Sequence, residues 1–202
     1  MATRDAAATQ RRILQAARRE FAAKGISGAR VDAIAARART NKRMIYYYFG
    51  SKDGLFREVL RQQLASRAAQ QPETDADTGT WGDRIARRQA MTLGINDYVR
   101  LLMWEALETT SSSRKKPLIA QEERMALFAE LRGHVEAAQA DGSLRPDLDA
   151  GQMLLTELAL TMFPVAFPQI VRMATGMEVD DPEFLATRQQ FLIELANGFA
   201  AP

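Results

Sequence analysis

The chain has 202 residues, enough for one or two domains with a buried core. It holds no cysteine, so neither a disulfide nor a thiolate metal site is open to it. A single histidine, no glycine-rich phosphate loop and no metal-ligand spacing leave no visible catalytic machinery; no enzyme, no metal and no cofactor are expected. The net charge of +2 hides a division: residues 1–61 hold 14 Lys/Arg against 5 Asp/Glu, a balance of +9, and residues 62–202 hold 13 against 20, a balance of −7. Such asymmetry points to a polyanion-binding head on a solvated body. The head lacks the broad apolar stripe flanked by Trp or Phe that membrane insertion needs, so double-stranded DNA is the expected partner and a membrane is not.

The opening stretch MATRDAAATQRR is charged and has no apolar signal core, so the protein is expected to be unexported and cytoplasmic. Residues 1–8 read either as an arm offering Arg4 to a phosphate or the minor groove, or as a tail without a role. A helix is predicted from about Thr9 to Lys24, with Ile13, Ala17 and Phe21 on its buried face and Gly25 as its stop. VDAIAARA places Val31, Ile34, Ala35 and Ala38 on one face of a short helix. Asn41 suits the N-cap of a second, KRMIYYYF. Two short helices joined by a tight turn form a helix-turn-helix, whose second helix can lie in a DNA major groove.

That second helix carries Lys42, Arg43, Tyr46 and Tyr47 and no acidic residue. Cations at a helix N-terminus oppose the helix dipole, so an anion is expected there. Neighbours on a helix lie about 100° apart, so three consecutive tyrosines cannot share one core. Tyr48 is predicted inward and Tyr47 outward, with Tyr46 between them. Ser51 is expected to cap the next helix. Lys52 then falls in its first turn, where a phosphate can meet both backbone N–H groups and the ammonium.

At these residues the sequence resembles the TetR family of bacterial transcriptional repressors. The segments that carry the resemblance are Ala38-Arg39-Thr40, Asn41-Lys42-Arg43-Met44-Ile45-Tyr46, Tyr48-Phe49 and Gly50-Ser51-Lys52-Asp53, and it is strong over about residues 9–60. Arg39 stands where the family usually has a turn glycine, Met44 replaces a small hydroxyl residue, and Arg30 stands where Thr or Ser often caps the preceding helix. The resemblance implies a DNA-backbone contact for Lys52. With the cationic and aromatic pattern it makes Arg30, Lys42, Arg43, Met44, Tyr46, Tyr47 and Lys52 the expected DNA-binding residues.

Beyond the head, a helix from Lys52 to about Gln70 carries Leu55, Phe56, Val59, Leu60 and Leu64 on one face. Gln71 to Thr80 reads as a loop. Helices are predicted at about Trp81–Leu93, Ile95–Thr109, Pro117–Ala140, Ala150–Thr175 and Pro182–Ala200. The breaks fall at Gly94, the SSSRKK run (read as a solvated loop), Asp141–Asp149 with Gly142 as a C-cap exit, and Gly176–Asp181.

MLLTELALTMFPVAFPQIV is apolar nearly all round, but Glu157, Pro164, Pro168 and Gln169 argue against a membrane span. Such a helix needs a second covering layer, which a two-fold partner supplies. The last helix, with Phe184, Leu185, Phe191, Leu192, Leu195 and Phe199, is its companion. The resemblance implies a four-helix dimer contact, and Leu154, Leu158, Phe163, Phe167, Phe191 and Leu195 are its expected residues. Met91, Tyr98, Leu102, Met103, Trp104, Met125, Phe128 and Met162 read either as core packing or as the lining of an adaptable apolar effector pocket, which the resemblance favours for the set. Glu105 and His134 read first as surface residues and second as polar anchors of such a pocket.

The expected architecture is therefore all-α, with about nine helices. An N-terminal three-helix DNA-binding head with a helix-turn-helix, residues 1–52, precedes a C-terminal helical ligand-binding and dimerisation domain, residues 53–202. The expected function is a dimeric repressor that binds a palindromic operator and is released by a small, mostly apolar effector. The alternative is a dimeric DNA-coating or architectural protein without an effector.

Overall fold

The computed structural model describes residues 2–70, 80–93, 96–112 and 118–198, and every regular element among them is an α-helix. In chain order these are α1 (Ala2–Gly28), α2 (Val31–Arg37), α3 (Lys42–Phe49), α4 (Lys52–Gln70), α5 (Trp81–Leu93), α6 (Asn96–Ser112), α7 (Gln121–Ala140), α8 (Ala150–Ala166), α9 (Pro168–Thr175) and α10 (Pro182–Asn197). The expected loop over residues 71–79, the break at Gly94, residues 113–117 of the SSSRKK-Pro stretch and Phe199 lie outside the described residues.

Three boundaries differ from expectation. Helix α1 begins at Ala2, so residues 2–8 are the helix's first turns and not an arm. Helix α7 begins at Gln121, preceded by a turn in which Ala120 has φ +52°. The helix expected over Ala150–Thr175 is two, α8 and α9, bent by 89°, which makes ten helices among the described residues where about nine were predicted. The residue before a proline is pushed out of the helical region. Phe167, before Pro168, accordingly takes φ −130°, ψ 61°. Among the described residues no single helix is long and apolar enough to cross a membrane.

Packing divides the chain into two units, Met1–Gln70 with Asp97–Gln121, and Gln71–Asn96 with Glu122–Pro202. In the first, Ile13, Ala17 and Phe21 of α1 are fully buried with Ile34, Ile45, Leu55, Leu60 and Leu101. The Phe21 ring meets the nearly buried Phe56 ring edge-on at 5.3 Å. Gly25 breaks α1 with φ +68°, as its place after Lys24 predicts, and the chain turns helical again only to Gly28. Carbonyls in the last turn before such a break lack intrahelical partners. That of Ala22 accepts from both the Trp104 indole N–H (3.3 Å) and Arg100 Nε (3.1 Å) of α6. A Cβ on Gly25 would lie 2.7 Å from the Trp104 ring, so only glycine lets the indole sit there. Arg18–Asp97 (3.1 Å) and Ser27–Glu108 (3.3 Å) tie the same two helices.

Glu105 is buried, not a surface residue. It sits on the inner side of α6 and accepts the Ile119 N–H at 3.2 Å, which satisfies a backbone donor in the turn before α7.

In the second unit, α5 crosses α10 so closely that a Cβ on Gly82 would lie 2.8 Å from the Ile193 Cα. Trp81, Ile85, Leu131, Val135, Leu144, Met153 and Leu192 form its core. Gly142, with φ +82°, ends α7 as expected, with the Leu144 N–H returning to the Ala138 carbonyl at 2.9 Å. Pro164 has no N–H to give the Leu160 carbonyl four residues earlier. Arg188 Nη2 of α10 supplies that donor at 2.8 Å, and the Gln89 amide of α5 reaches the same oxygen at 3.3 Å. Beside them the 2 %-exposed Glu157 carboxylate pairs with Arg88 Nε at 2.5 Å. A proline inside α8 is thus accommodated by polar side chains from both neighbouring helices.

Candidate nucleic-acid interface

Helix α2 buries Val31, Ile34 and Ala35, and its exit is a closed turn. The Thr40 N–H bonds the Ala35 carbonyl at 3.0 Å and the Arg39 N–H that of Ala36 at 3.2 Å. This 6→1 and 5→2 pairing requires a left-handed residue at Arg39, and Arg39 has φ +52°. Asn41 then takes an extended conformation, and its Oδ1 accepts the Met44 N–H at 3.0 Å, capping α3 as its sequence position predicts. Arg12 Nε of α1 donates to the Ala38 carbonyl at 3.3 Å, pinning the turn to the supporting helix.

Ile45 anchors α3 by full burial, and half-buried Tyr48 and Phe49 pack onto the same core. Tyr47 points outward, 77 % exposed, and Tyr46 is 40 % exposed, so the three consecutive tyrosines sort as their angular spacing demands. The Tyr47 ring rests edge-on against Tyr48 at 5.2 Å, which restricts its orientation. Arg43 is exposed and Met44 half-buried. The Lys42 ammonium lies 3.2 Å from Asp32 Oδ2 of α2. Arg30, exposed, precedes α2 in extended conformation and provides no side-chain cap.

Behind this face lies a hub absent from the sequence reading. Glu20 of α1 is 2 % exposed, and its carboxylate takes Lys24 Nζ at 2.8 Å, the Arg30 N–H at 3.4 Å and Arg37 at 3.6 Å. The Lys24 hydrogen bond holds its pKa below the usual 4.5 against the opposing effect of burial, with help from the Arg30 N–H and the two cations. One carboxylate so joins α1 to both ends of α2. Its only sequence signal was an acid on the apolar side of α1, one position before Phe21. Lys52, half-buried, donates to the carbonyls of Ser27 (3.3 Å) and Ala29 (3.0 Å), and Ser51 Oγ accepts the Gly54 N–H at 2.9 Å as the cap of α4. The Lys52 ammonium therefore sits at the corner between α1 and α2, with α3 leading directly into its helix.

The expected effector residues fall in both units. Tyr98, Leu102, Met103 and Trp104, all half-buried, belong to the first; Tyr98 and Leu102 pack on its core. Met91 and Met162, half-buried, and Met125 and Phe128, exposed, belong to the second. Half-buried His134 is on α7. Among the expected dimer residues, Phe163, Phe167 and Phe191 are exposed, and the Phe163 and Phe167 rings lie 5.1 Å apart. Leu158 and Leu195 are half-buried, and Leu154 is buried in the second unit's own core. Leu155, 58 % exposed, faces outward in its place. The i, i+4, i+8 spacing of Leu155, Ala159 and Phe163 was the signal that could have identified it. No group of three or more His, Asp or Glu side chains among the described residues could hold a metal ion.

Comparison with known proteins agrees with this geometry. Residues 13–59 match the family model described as bacterial regulatory proteins, tetR family, and residues 91–195 that of a tetracyclin repressor-like C-terminal domain. The chain is 36 % identical over 176 residues to the HTH-type transcriptional repressor SCO4008 of Streptomyces coelicolor, covering 87 % of this chain and 88 % of that one. It is 30 % identical over 194 residues to the HTH-type transcriptional repressor NicS of Pseudomonas putida, covering 93 % and 90 %. The solved structure of SCO4942 from Streptomyces coelicolor superposes with a TM-score of 0.76 at 29 % identity, covering 96 % of this chain and 99 % of that chain.

Proposed function

We propose that this chain, which belongs to the TetR family and is a DNA-binding transcriptional regulator, represses as a homodimer on a palindromic operator and leaves it when a small, mostly apolar effector binds. The observation that carries the reading is the outward face of α3. A capped, anchored helix of eight residues presents Arg43, Tyr46 and Tyr47 to solvent with no acid on the helix itself. One recognition helix reads few bases, so two on a two-fold axis are needed for a specific site. Support for the second copy comes from the uncovered stripe of Leu155, Ala159 and Phe163 on α8, continued by Phe167, with Phe191 on α10.

The division of labour is residues 1–52 for DNA and residues 53–202 for sensing and pairing. Arg30, Lys42, Arg43, Met44, Tyr46, Tyr47 and Lys52 make the DNA contacts, with Lys52 serving the backbone. What supports effector control is α6, which carries the candidate effector residues Tyr98, Leu102, Met103 and Trp104 and, within the same unit, holds the Ala22 carbonyl of α1 through Arg100 and Trp104. A ligand that favours one position of α6 can thereby bias the helix supporting α2 and α3. No catalytic role is proposed.

Selection of bound duplexes from random DNA, followed by titration of the selected duplex against a panel of apolar small molecules, tests the reading. A palindromic motif and release by at least one compound class are expected. Sequence-independent binding untouched by every compound would favour the architectural alternative.

A further inference from the structure

We infer that Arg43 is the base-reading cation of α3 and that each operator half-site carries a guanine beneath it. The inference rests on the DNA-binding reading above and sharpens it. Two cations occupy the first turn of α3, and the fold treats them differently. The Lys42 ammonium is 3.2 Å from Asp32, an exposed carboxylate in the first turn of α2, and so is drawn to the α2 side of the helix. Arg43 is exposed, with no hydrogen bond or ion pair among the described residues. Met44 is half-buried and has no N–H or O–H to offer beyond its backbone, and Ile45 is fully buried.

Arg43 and Tyr47 stand at i and i+4 and therefore form one ridge along the exposed face. The Tyr47 ring, edge-on to Tyr48 at 5.2 Å, is the next side chain along that ridge. Among base edges in the major groove, guanine alone presents two adjacent acceptors, N7 and O6, and a planar guanidinium matches them with two parallel N–H groups. Adenine places a donor at that second position and repels the fork. The chemistry on this ridge thus selects guanine, while Lys42, a compact charge paired off to the side, serves the backbone alike on all sequences.

The test compares duplexes selected by the wild type, Arg43→Ala, Arg43→Lys and Lys42→Ala, and then replaces the candidate guanine by 7-deazaguanine, which lacks the N7 acceptor. A guanine common to both half-sites is expected in the wild-type motif. Its preference should fall by about 10- to 100-fold in Arg43→Ala and persist in Lys42→Ala, which weakens all duplexes alike. The 7-deaza duplex should cost the wild type several-fold and Arg43→Ala nothing. A palindromic motif that keeps the same guanine at full strength in Arg43→Ala, or loses it in Lys42→Ala, overturns the inference while leaving the operator reading intact. A wild type that selects no motif overturns both. Because Arg43 is exposed, the variants are expected to melt with the wild type, and the 7-deaza comparison on unaltered protein holds even if they do not.

Discussion

Arg39 and Glu20 show how much of this head rests on single side chains. The turn between α2 and α3 needs a left-handed residue, and an arginine there costs on the order of 1–2 kcal/mol. Arg39→Gly is expected to stabilise the protein by about 1 kcal/mol after allowing for glycine's extra freedom when unfolded, read as a higher urea midpoint at unchanged slope. Glu20 acts through charge. Its folded pKa lies below its ordinary value of 4.5, so its contribution is present above that value and is lost as pH falls beneath it. Unfolding midpoints measured between about pH 7 and about pH 3 should decline at the acid end. Glu20→Gln should lower the neutral midpoint and flatten that decline; an unaltered pH profile would remove the hub from the account.

Elements here are shaped by the residues that break them. Gly25 both ends the main run of α1 and makes room for Trp104, so its replacement meets a conformational and a steric obstacle together. Gly25→Ala is expected to destabilise by at least about 1–2 kcal/mol and to change the near-ultraviolet signal of the displaced indole. Gly28→Ala provides the contrast, since its Cβ would meet only Lys24 Cβ at 3.4 Å; it should be neutral or stabilising by under about 1 kcal/mol. Equal losses in the two variants would mean that neither the positive φ at Gly25 nor the Trp104 contact contributes, and an unchanged indole signal would remove the contact alone. The two prolines of the α8–α9 region act differently. Pro168 ends a helix through its neighbour's backbone, while Pro164 stays inside α8 because Arg188 and Gln89 take the carbonyl it leaves free. Helical periodicity alone could not distinguish them, because the compensating donors come from α10 and α5.

Across the whole molecule the proposed pairing of two copies depends on an apolar stripe that one copy leaves in water. A carboxylate placed there opposes association without entering either core, so Phe163→Asp is expected to sediment as a monomer with its helix content retained. Its DNA binding should weaken on every duplex, because each head then binds alone. A dimer that survives Phe163→Asp and Phe191→Asp together would place the contact elsewhere. Leu158 is a poorer position for such a charge, since it packs against the second unit's own core.

The order of α1 to α4, the caps at Asn41 and Ser51, the inward and outward tyrosines and the stop at Gly25 were all legible in the sequence. Each follows from interactions spanning a few residues: angular spacing, a side chain reaching an amide three positions on, a glycine that accepts positive φ. Tertiary structure alone decided that Lys42 is held by Asp32 ten residues away, that Glu20 gathers cations from two helices, and that Glu105 is buried. It also decided that Leu155 and not Leu154 faces outward. A helix apolar nearly all round carries no mark of which side its neighbours cover, and an exposed cation carries none of which acid lies across the turn. Those facts exist only once distant segments are packed together.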